Sequence, residues 1–252
     1  MGKIIAIGGG EIGRPGYPVE TTKIDRELIK LSGKKRPRFL FIPTASDDAP
    51  GYVTSVQKHF GQRLGCQVEV LYLAKNTPGK SEIAKKIFAS DIIYVGGGNT
   101  LKMMNRWRAL GVDKILKQAY RRGIVLAGLS AGSICWFRNG NSDSRKFKRS
   151  SADLVKVSGL GLIAALHCPH YDTERKRQAS VKKMMRTGPG VAIALDNCAA
   201  LEVIDDRYRI IISRPGKHGY KIFWSSGKYI KKIISIEKTF RPLAELLSKP
   251  KL

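Results

Sequence analysis

Acidic residues are scarce in this sequence. Asp and Glu number 20 against 46 Lys and Arg over 252 residues, a formal net charge of +26. Cysteine is scarcer: Cys66, Cys135, Cys168 and Cys198 are the four present, and no two form a C-x-x-C pair. That count and spacing exclude a disulfide scaffold and a zinc-knuckle site. The expectation is four buried, reduced thiols packed as small hydrophobes in a cytoplasm. Long apolar runs are missing, since nothing approaches the roughly 18 consecutive residues of a membrane span. The N-terminus passes directly into a strand-like run without the three regions of a signal peptide. Met1-Gly2 is followed by Ala6 where a myristoylation signal needs Ser or Thr, so neither lipid anchor nor membrane contact is expected. There is no internal repeat, no low-complexity segment and no Ser/Pro/Gly-rich linker. A chain this long buries roughly three quarters of its unfolded surface, and one domain over 1–252 is expected.

The positive charge attracts polyanions in general. It is dispersed in short pieces such as Lys34-Lys35-Arg36, Arg121-Arg122, Arg175-Lys176-Arg177 and Lys231-Lys232 rather than gathered into a binding tail. No basic–aromatic interleaving of the kind that stacks bases stands out. A nucleic-acid partner is therefore disfavoured.

Periodicity gives the architecture. Strand-like runs cover Lys3 to Ile7, Arg38 to Ile42, Val68 to Leu73, Asp91 to Val95 and Ile124 to Leu129. Helical spacing covers Thr22 to Leu31, Val53 to Leu64, Ser81 to Phe88 with Ser81 as N-cap, and Leu101 to Tyr120 with a break at Gly111. This alternation predicts a mostly parallel sheet with helices on both faces. After residue 186 strands follow one another: Val191 to Leu195, Ala200 to Ile204, Tyr208 to Ile212 and Tyr220 to Phe223. Asp205-Asp206 reads as a hairpin turn, and the group as an antiparallel edge on the parallel core.

Gly128-Leu129-Ser130-Ala131-Gly132 fits G-x-S-x-G, after an apolar strand and before an expected helix. Such a turn holds a nucleophilic serine in a strained conformation clear of the sheet, with the Ala131 amide aimed at the substrate oxygen. The alternative is a tight glycine turn with a capping serine. Among four histidines, His59 is expected to face solvent on its helix and His218 lies in a turn. His167 and His170 flank Pro169 after an apolar stretch, and His170 is the favoured base. Asp143, in the turn-like Asn141-Ser142-Asp143-Ser144, is the candidate acid, with Asp172, Glu174 and Asp196 as rivals. The turn Gly96-Gly97-Gly98-Asn99-Thr100 can bring a second amide to the same sheet edge, or can simply cap the next helix. Gly8 to Gly13 satisfies G-x-G-x-x-G, but Pro15 and Pro18 interrupt the helix that a dinucleotide site requires, so it reads as a loop.

Gly-Leu-Ser-Ala-Gly-Ser, the earlier Val-Gly-Gly-Gly-Asn-Thr and the later Cys-Pro-His-Tyr-Asp, in this order, resemble the peptidase E and cyanophycinase family of serine peptidases. Ile7 to Glu11 and Ala192 to Asp196 fit as well, so the likeness spans most of the chain. The resemblance implies a flavodoxin-like, class I glutamine-amidotransferase-like three-layer α/β sandwich rather than an α/β-hydrolase. It implies Ser130 as nucleophile, His170 as base, and Gly98 with the Ala131 amide as oxyanion hole. Asn99, Arg175 and Arg177 become substrate-contact candidates, an arginine fork suiting the carboxylate of an Asp-X dipeptide. Neither cofactor nor metal is expected. The expected partner is a small peptide, with a homodimer left open and an esterase or amidase on the same residues as the rival activity.

Overall fold

Short β-branched runs that are apolar at every position have to be covered on both faces, which is the condition of a central parallel strand. Lys3–Ile7 (β1), Arg38–Ile42 (β2), Gln67–Val70 (β3), Ile92–Val95 (β4) and Val125–Leu129 (β5) are the parallel strands: β4 and β5 are buried throughout, β1 and β2 after their first residue, and β3, Gln-Val-Glu-Val, is the half-exposed edge. The computed structural model describes residues 2–147, 149–173, 175–186 and 190–249. β1, β5, β4, β2 and β3 pair in parallel in that order, while Ala199–Ile204 (β10), Arg207–Ile212 (β11) and Arg241–Pro242 (β14) extend the sheet antiparallel from β1.

One face of this sheet, carrying Ile5, Ile7, Phe39, Phe41, Tyr94 and Ala127, packs on Thr22–Leu31 (α1) and Pro50–Val56 (α2). The opposite face, carrying Ile4, Ala6, Leu40, Val95 and Leu126, packs on Lys80–Ala89 (α3), Thr100–Leu110 (α4), Val112–Arg121 (α5) and a second sheet. That sheet has parallel strands Phe137–Ser142 (β6), Ile163–Cys168 (β8) and Ala192–Leu195 (β9). Its antiparallel edges are Val155–Ser158 (β7) on one side and Gly219–Ser225 (β12) with Lys228–Ile234 (β13) on the other. Arg175–Arg186 (α7) covers its outer face through Val181 and Met185. An α/β sandwich with helices on both faces of the first sheet is the result.

Several details depart from the sequence reading. The late strands do not form one edge: β10 and β11 join the first sheet, while β9 and β12 join the second. The chain crosses between sheets in the turn after Leu195, where Cys198 has φ 63°. The helix after Ser130 is a single turn, Ala131–Ile134 (α6), and β6 follows at once. β6 escaped notice because Phe-Arg-Asn-Gly-Asn-Ser has no β-branched residue. The helix of α2 widens into a π-helical segment, Gln57–Arg63, and turns His59 inward, where it is 3% exposed. Gly79 rather than Ser81 caps α3. All four cysteines are buried. Among the described residues no helix is long and apolar enough to cross a membrane.

Candidate active site

The site is built where β1, β4, β5 and β8 end at the same edge of the sandwich. At the end of β5, Ser130 has φ 57° and ψ −111°, a conformation that costs an L-residue of order 1–3 kcal/mol unless the surroundings enforce it. They do so by close approach. A Cβ on Gly132 would overlap the Val95 carbonyl of β4, and one on Gly128 would overlap the backbone of Gly132. The two glycines of the motif are what let α6 turn back against the sheet. Ser133 and Ile134 N–H donate to the Ser130 carbonyl, so the Ala131 and Gly132 amides are the ones at the start of α6 without an intrahelical acceptor.

Ser130 Oγ lies 2.6 Å from Nε2 of His170, and Nδ1 of His170 lies 2.7 Å from Oδ1 of Asn197. The Asn197 amide nitrogen faces the Thr173 hydroxyl at 3.3 Å, which leaves its carbonyl oxygen for the imidazole. In the neutral ring, Nδ1–H then donates to Asn197 and the Nε2 lone pair accepts from Ser130. His170 itself sits at φ 64° with its backbone N–H on the Gly8 carbonyl. Gly9 has to be glycine here, because a Cβ would overlap both Asn197 Oδ1 and the His170 ring. The glycine run after β1, read from sequence as an edge loop, is the floor on which His170 and Asn197 rest.

Asp143 is held elsewhere. Its carboxylate lies 3.3 Å from the Arg177 guanidinium, which also donates to the Asn141 carbonyl at 2.9 Å. Of the rivals, Asp172 accepts the backbone N–H of Asn197 at 3.0 Å and the Lys217 ammonium at 2.7 Å, so it anchors the imidazole's partner. Burial pushes the Asp172 carboxyl up, but the Lys217 and Asn197 hydrogen bonds outweigh it and hold the group below its usual range. Asp196 accepts the His218 N–H at 2.9 Å, and burial raises its carboxyl. Glu174 lies outside the described residues.

The remaining candidates separate as clearly. Arg177 is 1% exposed and braces β6 beneath α7, while Arg175 is exposed at the helix start. Asn99 caps α4, accepting from Lys102 N–H and donating to the Ser144 carbonyl. Gly98 turns toward the Ala45 backbone, and Gly97 is the glycine that faces Ser130. A cavity of about 660 Å³ opens over Ser130 and His170, walled by Gly97, Leu129, Tyr52 of α2 and the loop from Gly10 to Tyr17. Arg14 is the guanidinium on this wall, clasped by Glu11 at 2.6 Å and lying over the Tyr17 ring. Sequence reasoning missed Asn197, because the search was for a carboxylate. It missed Tyr52 and Arg14 because neither sits in a motif.

Beneath the nucleophile, His167 is fully buried and stacks on Phe137. Its Nδ1 faces the Ile193 carbonyl at 3.0 Å and its Nε2 faces Ser133 Oγ at 2.8 Å, one turn of α6 from Ser130. Burial lowers its pKa to about 3. The unfolded chain protonates near pH 6.5 and the folded one only near pH 3. Stability tied to this ring is therefore complete above about pH 6.5 and is lost progressively down to about pH 3. In urea titrations across that window, His167→Gln is expected to flatten the acid-side decline relative to wild type. Parallel pH profiles for the two proteins would show that the ring does not titrate this way.

The pattern of peptidase family S51 matches residues 4–211. The chain is 35% identical over 230 residues to the Bacillus subtilis (strain 168) protein named uncharacterized peptidase YgaJ, covering 88% of this chain and 92% of that one. The fold is shared with a crystal structure of a peptidase from an acI-B1 Actinobacterium, with a TM-score of 0.70 and 17% identity over 96% of this chain and 97% of that chain. It is shared too with a protein provisionally described as a peptidase E from Listeria monocytogenes EGD-e, with a TM-score of 0.62 and 21% identity over 84% of this chain and 98% of that chain.

Proposed function

This chain belongs to peptidase family S51 and is a serine-type peptidase, and we propose that it hydrolyses small peptides through Ser130, His170 and Asn197. The observation that carries the proposal is the 2.6 Å contact between Ser130 Oγ and His170 Nε2, with the opposite ring nitrogen already occupied by Asn197. As the Ser130 oxygen attacks the scissile carbonyl, its proton passes to Nε2. The tetrahedral intermediate collapses as His170 returns that proton to the leaving amine. Water then enters by the same route and releases the acyl group. Asn197 holds the imidazole in the required tautomer, and the Asp172–Lys217 pair holds Asn197. The Ala131 amide donates to the developing oxyanion.

A cavity of about 660 Å³ suits a peptide of a few residues. Asp-X dipeptides are included in this reading, and Arg14 is the cation on the wall that can meet an aspartyl carboxylate. Arg177 is committed to Asn141 and Asp143. Four buried cysteines with no C-x-x-C pair fit a reducing compartment, and we place the enzyme in the cytoplasm.

The test is active-site titration with a fluorophosphonate, mapped by peptide mass spectrometry, beside a panel of Asp-X and non-acidic dipeptides and p-nitrophenyl esters. The expected result is a single adduct on Ser130 and peptide turnover that the adduct abolishes. Ester turnover without any peptide cleavage would replace the peptidase reading of this site with an esterase one.

A further inference from the structure

The turn that follows β4 brings Gly97 against the nucleophile: a Cβ at Gly97 would stand 3.5 Å from that of Ser130. An amide in that place is a natural donor to the substrate oxygen, yet it is already engaged. Gly97 N–H donates to the Tyr52 hydroxyl at 3.1 Å. Tyr52 reaches this point from α2 with its ring set edge-on to Phe41, at 5.1 Å between centroids, and laid over Gly96, where a Cβ would meet the ring. Tyr52, Gly97, Ser130 and His170 all line the same cavity.

A phenol oxygen that accepts a hydrogen bond still has its own proton to give. No described residue is bonded to the Tyr52 oxygen other than Gly97, so that proton is available to a molecule in the cavity. Burial raises the phenol to about 12, which keeps it a donor throughout the working range of a histidine base.

We propose that the Tyr52 hydroxyl is a catalytic donor to the substrate's scissile carbonyl oxygen, standing between that oxygen and the Gly97 amide. The inference rests on the assignment of Ser130 as nucleophile. When the Oγ–C bond forms, the carbonyl π pair moves onto oxygen. Tyr52 stabilises that charge by hydrogen bonding without giving up its proton, and the Ser130 proton goes to His170. The Gly97 N–H polarises the phenol and strengthens it as a donor. The site thus holds two unlike donors, the Ala131 amide at the start of α6 and a phenol from α2. The phenol's hydrogen bond strengthens as the oxygen becomes charged, so its loss should appear in kcat and leave KM nearly unchanged.

The experiment compares wild type, Ser130→Ala and Tyr52→Phe on the best peptide substrate, with melting curves for each. Phe keeps the ring against Phe41 and Gly96. Tyr52→Phe is expected to lower kcat on the order of 10²–10³-fold, with KM within about twofold of wild type, the split that identifies a transition-state donor. Fluorophosphonate labelling should slow in parallel. If Tyr52→Phe does not fold, a fluorotyrosine at position 52 gives the answer: its lower phenol pKa should bring an alkaline decline in kcat down with it. Wild-type kcat for Tyr52→Phe, an effect confined to KM, or a fluorotyrosine enzyme with an unmoved alkaline limb would overturn the inference. In those cases an inactive Ser130→Ala would leave the nucleophile assignment standing. An active Ser130→Ala would overturn the assignment itself, and the Tyr52 role with it.

Discussion

Ser130→Ala yields a folded protein whose peptide hydrolysis is reduced by about 10⁵–10⁶-fold, and Ser130→Gly yields one equally inactive that melts higher. The first half follows from the place of the Ser130 hydroxyl, the oxygen that meets His170 Nε2 over the cavity. Water would have to replace a nucleophile fixed at 2.6 Å. The second half follows from the backbone. At φ 57° and ψ −111° the serine is held where L-residues are strained, and Gly128, Gly132 and the β4 backbone leave it no room to relax. Alanine keeps the Cβ and so keeps the strain. Glycine removes it and should gain about 1 kcal/mol or somewhat more, which for a chain of this size raises Tm by roughly 2–4 °C. Kinetics and calorimetry on both variants check this. A Ser130→Gly protein less stable than Ser130→Ala would show that the elbow stores no strain.

The largest loss of stability is expected from Asp25→Ala, a position far from any motif. Asp25 on α1 is fully buried, and its Oδ2 accepts from the Thr21 hydroxyl and from His59 Nε2, each at 2.8 Å. Burial pushes the Asp25 carboxyl up, with the His59 and Thr21 hydrogen bonds opposing that shift. Removing the carboxylate leaves a buried imidazole and a buried hydroxyl without an acceptor, which costs about 3–5 kcal/mol, or on the order of 10 °C in Tm. Replacing both partners by apolar residues, Asp25→Leu with His59→Leu, is expected to recover most of that loss, because no polar group is then stranded. Denaturant unfolding of the single and double variants separates the cases. A single variant within 1–2 °C of wild type would remove the pair from the list of features that hold α1 against α2.

His59 also shows why part of the fold could not be read ahead. Its helical position and its neighbour Lys58 pointed to solvent, yet it lies on the buried side with Ser55, Val56 and Phe60. The π-helical segment over Gln57–Arg63 changes the angle at which the residue leaves the helix, and the buried carboxylate of Asp25, 34 positions away, rewards the inward turn. Asp143 is the converse case. Its sequence was read as a turn, but Asn141 and Ser142 end β6 and Ser144 opens a 3-10 turn; a carboxylate takes its role from whichever cation packs against it, and here that cation is Arg177 from α7. Asn197 carries no local mark at all. It meets His170 because β8 and β9 are neighbours and both end at the same edge, a consequence of pairing that spacing along the chain does not encode.

By itself the sequence determined the parallel core, since a strand apolar at every position has to be covered twice. It determined the elbow too, since only a G-x-S-x-G turn between such a strand and a helix lets backbone pass so close to backbone. Ser130 and His170 were therefore legible as residues. Only the tertiary structure decided that the Asn197 amide oxygen meets the His170 imidazole, that Gly97 rather than Gly98 faces Ser130, and that the Tyr52 hydroxyl bonds the Gly97 amide. The reason is common to all three: each depends on a distance between segments far apart in the chain, fixed by packing at the sheet edge rather than by any local preference.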